Sequence, residues 1–349
     1  MIKDDFVHAM RRALLLVLLM AFIPVAALAA EDSGRVVFLR GSVSATDNDG
    51  NARQLSRDDR VSAGDTLASG PKGVAQIVFP DNSLLYIKPD SEVQIAKYRY
   101  DEDQPQNDEA VVNVVKGGLR ALTGVIGKRS QDKVKFTNRM ATIGIRGTAV
   151  EIGEDTVVFD FGQGSMENES GSILIGPGES ARAASSKAKI GKYFHERDPD
   201  DASVVAQVLV AAPLDKVVGA VEIACKTIPE EEAIFLMGIQ NQVPGYRPEV
   251  TAATVQGLTV CYAMDEFGII LTASTLIFPG EAPQMLVAAL QGRGSVEVTT
   301  ALKAVLRGLD RPDQALVNRV VDIAITEGNL DVDGARQVLQ EVQEEGYCR

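Results

Sequence analysis

The 349-residue chain is long enough for two ordinary domains, and its apolar fraction of 45% is that of a folded globular protein. A net charge of −13 repels phosphate backbones and argues against nucleic acid as a partner. With no Trp and 5% aromatics, the chain also has few platforms on which sugars or bases could stack. The charge is uneven: residues 31–195 hold 21 Lys and Arg against 23 Asp and Glu, whereas residues 196–349 hold 11 against 23.

Arg11 and Arg12 precede an apolar run over 13–23, then Pro24 and a small-residue stretch ending in Ala29 and Ala30. Glu31 and Asp32 open the polar chain. A short basic region, an apolar core and small residues before a polar start are the parts of a secretory signal peptide. The apolar stretch is barely long enough to span a bilayer, and Pro24 with the alanines favours processing. Cleavage is expected after Ala29 or Ala30, giving a periplasmic or secreted protein with no transmembrane segment. No Cys adjoins the site, so no lipid anchor is expected.

Residues 31–183 read as an all-β domain. Short alternating runs at 36–39, 74–79, 84–87, 93–95, 111–115, 134–137, 149–152, 156–161 and 173–175 are separated by turn residues such as Asp47, Asn48, Asp49 and Gly50. Many short strands between Gly and Pro turns indicate a sandwich, a roll or a β-solenoid.

The turns come in a recognisable order: Gly34, Gly41, Gly64 with Asp65, Ser69 with Gly70, Asp81 with Asn82, Pro89 with Asp90, and Gly117 with Gly118. They close on Arg146, Gly147 and Thr148. This series, over about residues 34–155, resembles the periplasmic β domain of the FecR family. Asn82 stands where that family usually has Gly, a mild change because Asn tolerates a left-handed turn. FecR regulators place a cytoplasmic anti-sigma segment before a membrane span. Only about twelve residues precede the apolar run here, so the resemblance does not carry the anti-sigma activity to this chain.

Gly64, Asp65, Arg146, Gly147 and Thr148 are expected to be structural. Gly147 permits a turn or bulge, Thr148 begins a strand, and Arg146 bonds carbonyls or a buried acid. Arg146 is also a binding candidate. A basic strip, Lys128, Arg129, Lys133, Lys135 and Arg139, faces only Asp132 nearby in sequence. Lys133 and Lys135 fall on one strand face. The default for such a strip is a solvated surface. Its functional form is a dock for an anionic cell-wall polymer, lipid headgroups or the acidic half of this chain. The Gln/Asn/Pro-rich acidic stretch 101–109 reads as a flexible insertion.

Residues 184–201 form a polar, small-residue linker. Residues 202–349 turn helical, with apolar residues at helical spacing over 204–212, 216–225, 230–240, 248–263, 282–291, 296–309, 312–327 and 334–345. Residues 266–271 are ambiguous between strand and buried helix. Segments 218–225 and 254–261 are weakly alike, 36 residues apart, which alone does not establish a repeat. The expected fold is thus α+β in separate domains, the second an all-α bundle or short helical array.

Of the cysteines, Cys225 and Cys261 are the favoured disulfide, with Cys348 in a rival pairing. Asn329, Asp331, Asp333 and Gly334 imitate the start of a calcium loop, but Gln340 replaces the closing Glu, so a helix cap is expected. Beyond the signal, His195 is the only His, and no nucleophile motif, metal-spaced cluster or phosphate loop occurs. No metal, no cofactor and no enzymatic activity are expected. The function expected is extracytoplasmic binding or scaffolding with an unknown envelope protein, or alternatively binding of an anionic cell-wall polymer through the strip at 128–139.

Overall fold

The computed structural model describes residues 33–194 and 201–348, apart from residues 131, 293, 295 and 311. The expected signal peptide and His195 lie outside the described residues.

The first half opens with β1 (Gly34–Arg40), β2 (Val43–Thr46), β3 (Ala52–Gln54), β4 (Arg60–Val61) and β5 (Thr66–Ser69). Then come β6 (Val74–Val78), β7 (Leu84–Ile87), β8 (Glu92–Arg99), β9 (Glu109–Lys116) and β10 (Gly118–Leu122). A short helix, α1 (Val125–Arg129), leads to β11 (Val134–Thr137), β12 (Thr142–Gly153) and β13 (Thr156–Asn168). The half closes with β14 (Gly171–Ile175), β15 (Glu179–Arg182) and β16 (Gly191–Phe194), the last lying inside the stretch 184–201.

All sixteen strands join in one sheet, ordered β3-β2-β5-β8-β9-β11-β12-β10-β7-β6-β1-β4, with β13 on β12, β14 and β15 on β13, and β16 on β15. The pairs are antiparallel except β9 with β11, which are parallel. The long β12 bends the sheet: residues 142–144 pair with β11 and residues 149–153 with β10. The result is a curled half-barrel.

The barrel interior holds one core, including Val36, Ile77, Leu85, Ile87, Leu119, Ile143 and Phe159. Alternate residues of the same strands point the other way and are buried too: Val37, Val74, Val78, Leu84, Tyr86 and Leu122. That double burial is why 84–87 has no charged residue and 74–79 only Gln76 as a polar one, since a strand covered on both faces loses its polar alternation.

The covering is helical. It comprises α2 (Ala202–Ala211), α3 (Leu214–Ala224), α4 (Glu230–Ile239), α5 (Pro248–Leu258), α6 (Met264–Ile277), α7 (Ala282–Gln291), α8 (Val298–Gly308), α9 (Gln314–Thr326) and α10 (Val332–Glu344). The ambiguous 266–271 is thus part of the first half of α6, with Phe267, Ile270 and Leu271 buried.

Helices stack two apart, α2 on α4, α4 on α6, α6 on α8, α8 on α10, and likewise α3 on α5, α5 on α7 and α7 on α9. The starts of α4, α6, α8 and α10, at residues 230, 264, 298 and 332, are each 34 residues apart. Those of α3, α5 and α7, at 214, 248 and 282, are also 34 apart. The helical half is therefore a two-layer array of helix pairs. Side chains stitch neighbouring units at matching positions: Arg247 to the Ala212 carbonyl, Tyr262 to that of Ile228, and Gln256 to that of Gln291, at 3.0, 2.7 and 3.1 Å.

The two halves are consecutive in sequence but share a core. The layer α2, α4, α6, α8 and α10 supplies Phe235, Leu236, Leu271 and Leu302 to the cluster that includes the outer face of the sheet. Each such side chain stabilises the fold by about 2 kcal/mol.

Candidate functional site

The Arg146-Gly147-Thr148 segment is a bulge. The register of β12 on β13 shifts between Arg146 and Ala149. Gly147 has φ +53° and Gly162 on β13 has φ +72°. A Cβ on Gly162 would sit 2.2 Å from the Gly147 carbonyl oxygen, so Gly162 requires glycine, whereas at Gly147 a Cβ would meet nothing within 4 Å and only the positive φ favours glycine. Thr148 is fully buried; its hydroxyl donates to the Phe161 carbonyl and its amide to the Thr123 hydroxyl. Thr123 returns a bond to the Thr148 carbonyl at 2.8 Å. The segment staples β12, β13 and the turn after β10. Arg146, read as a possible bond to carbonyls or a buried acid, is exposed.

Gly64 and Asp65 form a second staple. Gly64 turns with φ +96°. Buried Asp65 accepts two bonds from Arg53, at 2.6 and 3.1 Å, and one from the Ser62 amide at 2.9 Å.

The basic strip is not a continuous field of free cations. Arg129 pairs with fully buried Asp108 at 2.7 Å, donates to the Asp101 carbonyl and lies over the Tyr100 ring. It thereby ties down residues 101–108, where the sequence suggested a flexible insertion. Lys133 donates to the Gln106 carbonyl at 3.1 Å, and Arg139 pairs with Glu154 at 3.4 Å. Lys135 is exposed on β11, and Lys128 is exposed beside the turn after α6.

Sequence reasoning missed Arg120, which is 4% exposed in the seam between sheet and helices. Its guanidinium lies 3.9 Å from the Phe235 ring centroid and donates twice to Glu232, at 2.8 and 3.1 Å. Asp201 and Asp160 stand 3.4 and 3.9 Å away. Burial opposes the Arg120 charge, but Glu232, Asp201 and Asp160 outweigh it and hold the group above its ordinary value. Gln76 on β6 donates to the Glu231 carbonyl at 2.6 Å, and Arg40 pairs with the Glu231 carboxylate. At the other end Arg35 donates to Asp58 at 2.9 Å and to the Arg307 carbonyl at 2.7 Å, under the Tyr347 ring.

A cleft of about 460 Å³ opens along that end, between β1 and the helices α6 and α8. Its Arg35, Lys303 and Arg307 are paired with Asp58, Glu341 and Glu345. Among the described residues no group of His, Cys, Asp and Glu is placed to hold a metal ion.

Glu230, at the start of α4, is pushed up to about 7 by burial and by Glu266, Glu231 and Asp265. Its Oε1 has no hydrogen-bond partner among the described residues. The folded state therefore holds a proton that the unfolded chain releases near pH 4.5. The contribution of Glu230 to stability should fall as pH rises from about 4.5 to about 7, and Glu230→Gln should flatten the stability slope over that range. Urea midpoints at pH 5 and 7 check this; an unchanged slope in the variant would refute it.

Cys225, at the end of α3, and Cys261, after α5, are disulfide-bonded with Cα atoms 6.1 Å apart; Cys348 is free. Asp331 caps α10 by accepting from the Gly334 amide at 2.7 Å.

A curled half-barrel with glycine-marked bulges, sealed on its outer face by a helix-pair array, defines an α+β protein with segregated halves. Residues 65–165 match the family model described as FecR protein, so the chain carries a FecR domain. It is similar to a crystal structure at 1.65 Å of a candidate anti-sigma factor from Parabacteroides distasonis ATCC 8503. Identity there is 13% and the TM-score 0.30, over 38% of this chain and 60% of that one. A 2.50 Å structure under the same description, from the same organism, is 15% identical with TM-score 0.31, over 45% and 72%. A cell surface anchoring domain is 32% identical with TM-score 0.18, over 18% of this chain and 83% of that one. This chain thus spans less than two thirds of the first of these structures. No curated protein matches the chain.

Proposed function

We propose that this is a non-enzymatic signalling or scaffold protein of the cell envelope, acting outside the cytoplasm by binding a protein partner through its helical array. The observation that carries this is the set of large apolar side chains that the array leaves in solvent. One layer, α2, α4, α6, α8 and α10, supplies the residues that pack on the sheet. The array leaves large apolar side chains in solvent: Leu214 and Ile223 of α3 are 39% and 72% exposed, and Val208 of α2 and Val332 of α10 are 58% and 55% exposed. Exposed apolar residues on a half that holds 11 cations against 23 acids are what a protein-binding surface offers. The FecR domain serves as the rigid base that fixes the array. The basic strip supports polymer binding less well, because three of its members are already engaged with Asp108, Gln106 and Glu154.

Photo-crosslinking in cells tests the proposal, with the reactive residue placed at Ile223, Lys135 or Leu174 in turn. A protein adduct from Ile223 alone is expected. Adducts of wall polymer from Lys135, with none from the array, would reject it.

A further inference from the structure

The outer layer carries a long depression of about 870 Å³ across α3, α5 and α7. Its floor is made by small residues of the middle helix, Ala252 and Ala253. Its walls are Leu214 and Val218 from α3 and Val287 from α7, with Ile323 of α9 beyond. The stacking makes this trough: Val218 and Ala252 are 34 residues apart, as are Ala253 and Val287, so they occupy matching places on successive units. A small pair on the central helix, between larger residues on each side, leaves a channel into which a backbone can come close.

The charge at the trough has one sign. Asp215 and Glu249 are the only charged side chains among the described residues that line it. Asp215 is beside exposed Lys216 at 3.3 Å, while Glu249 has no ion-pair partner among the described residues. Residues 196–349 hold 11 cations against 23 acids, so the surrounding field has the same sign. An anionic lipid surface is disfavoured by that field, and a second copy of this chain would bring the same acids.

Resting on the proposed reading as a protein-binding array, we infer that this trough receives an amphipathic helix of a partner protein. The helix lays an apolar stripe over Ala252 and Ala253 and turns a Lys or Arg toward Glu249. This is the helix-in-groove mode of recognition, in which apolar anchors supply affinity and flanking charges select the partner.

The probe is a fluorescent helical peptide with leucines at i, i+3, i+4 and i+7 and lysines on its flanks, titrated against the purified protein. An acidic twin carries glutamates at the lysine positions. The lysine peptide is expected to bind, with the acidic twin weaker by about tenfold or more. Ala253→Trp, which fills the trough, should abolish binding. Glu249→Lys, at an exposed position that leaves the core untouched, should weaken the lysine peptide by about tenfold and reverse the preference. No binding of either peptide, equal binding of both, or full binding to Glu249→Lys overturns the inference. So does a wild-type dimer that Ala253→Trp dissociates, or flotation with phosphatidylglycerol vesicles that Ala253→Trp abolishes. A protein adduct from Ile223 that survives both substitutions leaves the array as a binding surface and removes only this groove.

Discussion

Arg120→Met should lower the unfolding free energy by about 3–5 kcal/mol, because it leaves Glu232 and Asp160 facing an apolar seam without their cation. Burial already pushes Glu232 above its ordinary value despite Arg120, and the substitution removes the group that restrains it. The Phe235 ring would also lose the guanidinium over its face. Replacing the bonded pair together, as Arg120→Met with Glu232→Met, should recover much of the loss, since apolar groups of similar volume substitute well for a buried ion pair. Urea denaturation followed by far-ultraviolet circular dichroism measures both. The sheet and array share one hydrophobic cluster, so a single transition is expected for the whole molecule. A loss below about 1 kcal/mol for Arg120→Met would mean that the cluster behaves as an exposed ion pair.

The second large effect concerns the disulfide. Cys225 and Cys261 are 36 residues apart and join two successive units of the outer layer. Closing a loop of that length restricts the unfolded chain by roughly 4 kcal/mol on the chain-entropy account. The Cys225→Ala/Cys261→Ala double variant should be less stable by that order, and dithiothreitol should shift the wild type equally. Cys348→Ala should show no comparable shift in dithiothreitol sensitivity. Equal stability of reduced and oxidised wild type would refute the stabilising role.

What the sequence revealed of this fold follows from the range of each signal. Strands at 74–79 and 84–87 were legible from local apolar runs. The reason both faces are apolar was not, because the helices that cover Leu84 and Tyr86 lie more than a hundred residues downstream. The period of the array was hidden for a different reason. Ala233, Phe267, Ala301 and Ala335 sit at one repeat position and are all buried, yet vary from Ala to Phe. Stacking preserves burial and leaves residue type free. The two-residue offset in the cysteine spacing, 36 against 34, obscured it further.

In the basic strip the cations were visible and their partners were not. Asp108 lies 21 positions before Arg129, on the far side of two strands. Arg120 did carry a local signal, since it is a single charge between Leu119 and Ala121 in a strand buried throughout. Such a residue needs a buried acid, and only the folded chain shows that Glu232 provides it.

Arg35 belongs to the first strand, yet its contacts include the Arg307 carbonyl, 272 positions later, and the ring of Tyr347. The order of assembly is therefore constrained. While a chain emerges from its N-terminal side, β1 can join the sheet but its outward face has no cover until α6 exists, and Arg35 has no complete set of partners until the last residues do. Val37, Phe38, Val74 and Leu84 stay wet during that interval. Long-range closure of this kind slows the final step of folding and lengthens the time an apolar face is open to other molecules. Loss of even the last few described residues should be felt at the opposite end of the sequence, as fraying of the strand with which the domain begins.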